Sequence, residues 1–248
     1  MIVSYLRSRL LQALVAGILI VGPALAQAEE STADNGWQFA IAPYLWGAGI
    51  SGQTQRFPID VEIGDILDNL EGVFMAAFEA RKNKWMVLAD YVYLDLAASR
   101  PRPVSGSEIN LNMEGTVFHL AGGYNLYQEK SSLDLIFGAR NLDLDLGLST
   151  VIMSNPVSRS QSGNILDGII GLKGQIGLSK RWYLPYYVDI GTGDSDLSWQ
   201  AMAGASFRAA KWVDLALVYR HLEWEFKSDK LLQDISFSGP AFGAIFRF

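Results

Sequence analysis

Nearly every stretch after residue 36 alternates apolar side chains with polar or small ones, one for one. LSWQAMAGASFR (197–208) sets Leu197, Trp199, Ala201, Ala203, Ala205 and Phe207 against Ser198, Gln200, Met202, Gly204, Ser206 and Arg208. Successive side chains of a β-strand point to opposite faces, so a period of two means a two-faced strand. NILDGIIGLKGQIGL (164–178) repeats the pattern, with Leu166, Ile170, Leu172 and Ile176 against Asp167, Lys173 and Gln175. GARNLDLDLGL (138–148) alternates strictly, and VYRHLEWEF (218–226) echoes it. A chain patterned this way folds as sheet, and a long sheet must close or stack to protect its edges.

Turn signals divide the pattern into spans near 37–50, 73–81, 85–97, 108–126, 132–148, 164–178, 182–191, 197–208, 212–227 and 235–248. That is about ten strands; eight is the alternative if the second and third spans pair outside the barrel. Periodicity does not say which face lies inside. A soluble barrel hides the apolar face; a membrane barrel turns it to lipid and keeps polar or small side chains in the lumen. Three features favour the membrane form. Short connections near Lys82–Lys84, Gln128–Ser132, Ser179–Arg181 and Arg208–Lys211 alternate with longer ones near 51–71, 99–108, 149–162 and 228–234, and a tighter one at 192–196. Trp85, Trp182 and Trp212 each follow a short turn, and Trp37 opens the first strand at the same end. Such a ring suits an aromatic girdle, half in lipid and half in water. The chain also ends GAIFRF, with Phe242, Phe246 and Phe248 on one face.

The N-terminus agrees. MIVSYLRSRL carries Arg7 and Arg9 and no acid; a short apolar run and Pro23 follow, with small-x-small sites ending at Ala26 or Ala28. This predicts a cleaved signal peptide over 1–28, then a short segment, 29–36, then a barrel over 37–248. The apolar run is shorter than the roughly 20 residues a membrane helix needs. The net charge of −6 becomes more negative on cleavage and argues against a nucleic-acid partner. There is no cysteine, so closed backbone pairing must do what disulfides do in many exported proteins.

Four strands change their apolar face partway. In 108–126 the apolar set is Ile109, Leu111 and Met113, then Phe118, Leu120, Tyr124 and Leu126, which predicts a slip at Gly115. Similar slips are predicted at Gly239, near Arg140/Asn141 and near Arg220/His221, each a one-residue β-bulge. PIDVEIGDILDNLEG (58–72) spaces Ile63, Ile66, Leu67 and Leu70 as one helical face. A short amphipathic helix there either caps the mouth, folds into it, or packs on the loop base; the last is the favoured expectation.

WQFAIAPYLWGAGISG, EARKNKWMVLADYVYLDL (79–96), LAGGYNLY (120–127), LSWQAMAGASFR, LALVYRHLEWEF (215–226) and SGPAFGAIFRF (238–248) together resemble a family of small outer-membrane β-barrel proteins of Gram-negative bacteria. The resemblance covers most of the chain after residue 36. It implies an all-β, antiparallel up-and-down transmembrane barrel in the outer membrane, with both termini periplasmic. The terminal phenylalanines resemble the signal that such barrels present to the barrel-assembly machinery. No catalytic or ligand residues come with the resemblance.

The inward positions of such a barrel predict a lumen charge network of Glu79, Asp90, Glu114, His119, Arg140, Lys173, Asp189, Asp214 and Arg220, joined by Arg81, Asp134, Asp167 and Arg208. Charges in a small lumen must pair or meet water, and about ten strands leave a narrow wet path at most. Asp143, Asp145, Glu223 and Glu225 form a predicted acidic mouth, where a single-sign field would concentrate cations. His221 beside Glu223, with Asp143 across the mouth, is the candidate catalytic group of a barrel-borne hydrolase, protease or lipid-modifying. The arrangement is superficially similar to omptin proteases, but the chain is shorter and their motifs are not recognisable. No His-x-x-x-His, cysteine pair or calcium-loop pattern occurs, so no metal or cofactor is expected. The expected role is structural, or a narrow passive channel preferring cations; hydrolase and surface adhesion through 99–108 and 149–162 are the alternatives. Expected partners are outer-membrane lipid and lipopolysaccharide, the protein itself being a monomer.

Overall fold

The computed structural model describes residues 36–54, 58–101, 108–152, 155–226 and 232–248. The predicted signal peptide and the segment after it, Gly36 apart, lie outside the described residues. So do 102–107 and 227–231 in the predicted loops, and the tip of the 149–162 loop at 153–154.

Strands form where the alternation predicts them. In order they are β1 (Gln38–Trp46), β2 (Gly49–Thr54), β3 (Pro58–Val61), β4 (Leu70–Lys82), β5 (Trp85–Pro101) and β6 (Glu108–Gln128). Then come β7 (Ser132–Ile152), β8 (Asn155–Gly177), β9 (Trp182–Gly193), β10 (Leu197–Arg208), β11 (Val213–Glu225) and β12 (Leu232–Arg247). One short helix, α1 (Ile63–Asp68), precedes β4. β1 pairs with β4, each later strand pairs with the next, and β12 returns to β1. Every pairing is antiparallel. The result is a closed barrel of ten strands, β1 and β4 to β12, with no free lateral edge to protect.

The terminal rim carries the start of β1, the end of β12 and the tight turns. At Asn83 the chain takes φ 53°, a left-handed conformation that asparagine tolerates in a two-residue hairpin. At the opposite, loop rim, β5 to β8 run well past their neighbours. The predicted loop at 149–162 is largely strand, with pairing continuing to Ile152↔Asn155.

The first wall strand is broken. β1 pairs with β12 and β4, whereas its continuation β2 pairs with β12 and β3. The break falls at Gly47–Ala48, where Gly47 donates to the Pro240 carbonyl at 2.8 Å. A Cβ on Gly239 would strike the Gly47 backbone, so this close approach requires glycine. The β2–β3 hairpin and α1 occupy the gap above β4. The helical spacing over 58–72 therefore yields six helical residues, because Pro58–Val61 is claimed by the sheet. Ile66 is buried inside the barrel, whereas Ile63 and Leu67 are exposed. The helix caps the mouth, sending only Ile66 into the interior, rather than packing its apolar face on the loop base.

The predicted slips are absent. β11 pairs with β12 in continuous register from Val213 to Glu225. β7 pairs with β8 without a shift, and β6 shifts against β7 only at Asn125/Tyr127, far from Gly115. What changes midway is the chemistry of each face, not the register. Trp46, Met75, Val92, Val117, Leu142, Leu222, Trp224 and Phe237 join one buried cluster although they come from β1, β4, β5, β6, β7, β11 and β12. Only the barrel interior brings those strands together. By the same parity Asp90, His119, Arg140 and Arg220 also point inward, one step nearer the terminal rim. The outward face is the complement. Below the same level it is apolar, with Leu215, Leu217, Tyr219, Phe137, Ile170 and Phe242 exposed. Above it come His221, Glu223 and Glu225 on β11, and Asn141, Asp143 and Asp145 on β7.

Candidate functional site

The lumen of the lower half is a stack of ion pairs, four of which join strands that are not neighbours: Arg81–Asp134, Lys173–Glu79, Arg220–Asp90 and Arg140–Asp189. Near the terminal rim, Arg81 holds Asp134 at 2.7 Å and Glu79 at 3.3 Å, and Lys173 reaches Glu79 at 2.6 Å. Asn125 donates to Asp134 at 2.6 Å. Arg247 pairs with Asp214, which also accepts from the Tyr183 hydroxyl at 2.5 Å. One tier higher, Arg220 binds Asp90 at 2.8 Å and Gln200 at 2.8 Å. Tyr44 donates to Asp90 at 2.6 Å and accepts from Arg220 at 3.0 Å. Arg140 pairs with Asp189, both fully buried. His119 meets the Tyr187 hydroxyl at 3.2 Å, and Asp167 accepts from the Ser195 hydroxyl at 2.6 Å.

These partners follow from strand geometry. Each acid or base occupies an inward position of its strand, and charges drawn into a cramped interior must be paired because desolvation is expensive. Eight residues of the predicted network, namely Glu79, Asp90, His119, Arg140, Lys173, Asp189, Asp214 and Arg220, face the lumen. Glu114 does not. It lies on β6 one step past the change of face, at an even position like the outward Phe118 and Leu120, and is exposed.

Above the ion pairs the interior turns apolar. Trp46, Trp224, Phe237, Ile50, Ile235 and Ile66 pack into a cap, and Leu142, Leu222 and Trp224 are wholly inaccessible. The interior space here is about 50 Å³, lined by Trp46, Ile66, Met75, Leu142 and Phe237 among others. Two guanidinium groups join the layers: Arg220 lies 4.6 Å from the Trp46 ring centre and Arg140 5.6 Å from that of Trp224. Both distances suit cation–π attraction.

The predicted acidic mouth is not in the lumen. Asp143, Asp145, Glu223 and Glu225 sit at odd positions on β7 and β11, and their even neighbours Leu142, Leu222 and Trp224 are the buried ones. The correction has one cause: with no slip at Arg140/Asn141 or Arg220/His221, the leucines go inside and the carboxylates outside. Asp145 joins Glu71, Asp95, Glu114, Asn112 and Ser162 around an exterior groove of about 670 Å³. Asp143 accepts from Asn164 at 2.8 Å. Among the described residues, no three His, Cys, Asp or Glu side chains converge as metal ligands.

His221 therefore also faces outward, and Asp143 is not its partner. Its Nε2 lies 2.9 Å from Glu223 Oε2, as the sequence predicts. Its Nδ1 lies 2.5 Å from Ser238 Oγ on β12, a residue the sequence reading missed. His221 and Ser238 are direct cross-strand partners. Trp199 of β10 leans on the imidazole with ring centres 4.4 Å apart.

The four girdle candidates Trp37, Trp85, Trp182 and Trp212 lie at the terminal rim, each about half exposed. Trp85 meets Tyr124, Trp182 meets Phe207 and Trp212 meets Phe246 in ring contacts of 5.0, 5.0 and 6.0 Å. Phe242 and Phe248 are exposed on the outer wall of β12.

No family model matches the chain, and no curated protein matches it. Solved structures do. The outer membrane protease OmpT from Escherichia coli aligns with a TM-score of 0.50 at 10% identity, covering 90% of this chain and 100% of that one. The translocator domain of the autotransporter NalP from Neisseria meningitidis gives 0.48 at 15% identity, over 99% and 96% of the two chains. The attachment invasion locus protein Ail of Yersinia pestis gives 0.36 at 14%, over 87% and 100%. At these identities the likeness to OmpT is one of fold: a closed antiparallel barrel.

Proposed function

We propose that the chain is a monomeric outer-membrane β-barrel whose lumen is sealed, a membrane-embedded scaffold rather than a conduit. The observation that carries the second part is the apolar cap of Trp46, Trp224, Phe237 and Ile66 resting on paired guanidinium groups. An ion crossing it would shed its water in a space of about 50 Å³ without a polar partner. Of the two expected roles, the structural one fits this interior better than permeation. The cation preference loses its motive, because the carboxylates expected to supply it face away from the lumen.

The membrane reading is supported by the exposed apolar belt, Trp85, Val87 and Tyr91 on β5 and Leu215, Leu217 and Tyr219 on β11. Water would penalise such a belt, whereas lipid matches it. The fold shared with OmpT is consistent with it. The terminal rim then faces the periplasm, where short turns belong, and Phe242, Phe246 and Phe248 present an aromatic edge to the assembly machinery. The acidic outer face above the belt meets lipopolysaccharide. Planar-bilayer recording tests the sealed lumen. Wild-type protein is expected to give no stable conductance, and regular open-channel steps would overturn it.

A further inference from the structure

Ser238, His221 and Glu223 stand in the order of a nucleophile, a base and a group that orients the base. Ser238 Oγ lies 2.5 Å from His221 Nδ1, and His221 Nε2 lies 2.9 Å from Glu223 Oε2. One tautomer satisfies both: Ser238 donates to Nδ1, and Nε2–H donates to the carboxylate. This is the relay that turns a serine hydroxyl into a nucleophile, recognised by geometry rather than by chain order. It is accessible, His221 and Glu223 each being about a quarter exposed.

The position is as informative as the geometry. The three side chains sit on the outer wall of β11 and β12, one step above the lipid-facing Tyr219 and Pro240, which pair across the same two strands. From Trp212 in the lower aromatic ring to His221 is about nine residues, or about 30 Å along the strand at ~3.4 Å each. With the usual tilt of about 40° that is about 23 Å of height, against an apolar band of about 25 Å. The group thus stands at the outer edge of the membrane, where the acyl ester bonds of lipids lie. Leu217, Tyr219 and Phe242 continue below as an exposed apolar track for an acyl chain.

We infer that Ser238 and His221 form, with Glu223 as the positioning residue, a serine esterase site that cleaves acyl esters of membrane lipids. The inference rests on the outer-membrane reading above. Ser238 Oγ bonds to the ester carbonyl carbon while its proton passes to His221 Nδ1. The adduct expels the lipid alcohol oxygen, which takes that proton from His221. Water then attacks the acyl-Ser238 carbonyl, gives its proton to His221, and releases the fatty acid as Ser238 recovers its own. The sum is ester plus water to acid plus alcohol. Glu223 holds the ring and offsets the imidazolium formed in each half.

The test uses the full chain purified from membranes in detergent and then placed in vesicles. A fluorophosphonate probe reports an activated serine, and fatty-acid release reports turnover. Vesicles of phosphatidylethanolamine and phosphatidylglycerol are compared with vesicles that also hold lipopolysaccharide. Release from the first assigns a glycerophospholipid ester; release only from the second assigns an acyl chain of lipopolysaccharide. Either supports the site. Ser238→Ala and His221→Ala are expected to lower turnover about 10³-fold or more and to abolish labelling, while Ser236→Ala labels like wild type. Glu223→Gln is expected to lower kcat with KM unchanged, and Glu223→Asp to restore part of it. Heat-modifiable migration separates the two readings. Protein that migrates as a folded barrel yet takes no probe and releases no acid from either vesicle overturns the esterase alone, as does labelling that survives Ser238→Ala. Protein that never shows the heat shift overturns the barrel and the site with it.

Discussion

The lower and upper halves of this barrel share most strands of the ring, β9 and β10 adding nothing to the upper apolar cluster, and yet obey opposite rules. Near the terminal rim the wall is apolar outside and charged inside, with Leu217 exposed and Asp214, three residues away on the opposite face, fully buried. Past Arg220 the same strand buries Leu222 and Trp224 and exposes Glu225. The switch falls at one level on five strands, β1, β5, β6, β7 and β11: Tyr44 to Trp46, Asp90 to Val92, His119 to Val117, Arg140 to Leu142 and Arg220 to Leu222. On the proposed outer-membrane reading, one physical difference explains both halves. A wall set in hydrocarbon gains nothing by hiding leucine and must turn polar groups inward. A wall standing in water gains roughly 25 cal/mol for each Å² of apolar surface it buries. On that reading the upper half is a small soluble barrel standing on a membrane one.

The comparison can be broken by moving chemistry across it. The largest effect is expected from a charge placed inside the upper half. Leu142→Asp or Leu222→Asp buries an unpaired carboxylate among apolar side chains. Refolding into vesicles, followed by heat-modifiable gel migration, should show little or no native barrel. A variant that folds as well as wild type would break the view of the upper interior as a core.

Next comes the charged tier. Arg220→Met strands Asp90 and is expected to cost about 3–5 kcal/mol. Removing both charges with Asp90→Leu should recover most of that loss. Urea unfolding of protein in vesicles measures each, and an additive double variant would mean that the two residues do not act as a pair.

The outer wall sharpens the contrast further. Leu217→Arg puts a cation on the lipid face and is expected to cost about 2–4 kcal/mol by the same measurement. Asp143→Arg, on the outer wall of the upper half, is expected to change stability by only about 0.5 kcal/mol or less. Comparable costs at the two positions would place both in the same medium and remove the distinction between the halves.

Much of this was legible beforehand. Alternation marks the strands because sheet geometry is local, and the tight turns at Asn83, Ser179 and Ala209 fall where the polar clusters stand. Asp90, Arg140 and Arg220 read as lumen charges because their strands are apolar on the opposite face at that level. Leu142 and Trp224 misled. Their apolar parity opposes that of Phe137 and Tyr219, which along a single strand reads as a bulge. Change of face and change of medium leave the same mark on a single strand. Only the neighbours distinguish them, since a slip breaks the pairing register and a change of solvent does not. Ser238 was invisible for a related reason: it is 17 residues from His221, and nothing within β12 indicates which residue of β11 it opposes.

The sequence by itself determined the period and the tight turns, since each depends on a few adjacent residues; ring closure fixed the count at ten wall strands. The tertiary structure decided which face is inside at each level and which side chains meet across strands. That was settled by ring closure and by the unbroken pairing register of β7 with β8 and β11 with β12. The alternation of GARNLDLDLGL specifies a two-faced strand, but its leucines became core only because the six strands bearing Trp46, Met75, Val92, Val117, Leu222 and Phe237 brought theirs to the same height.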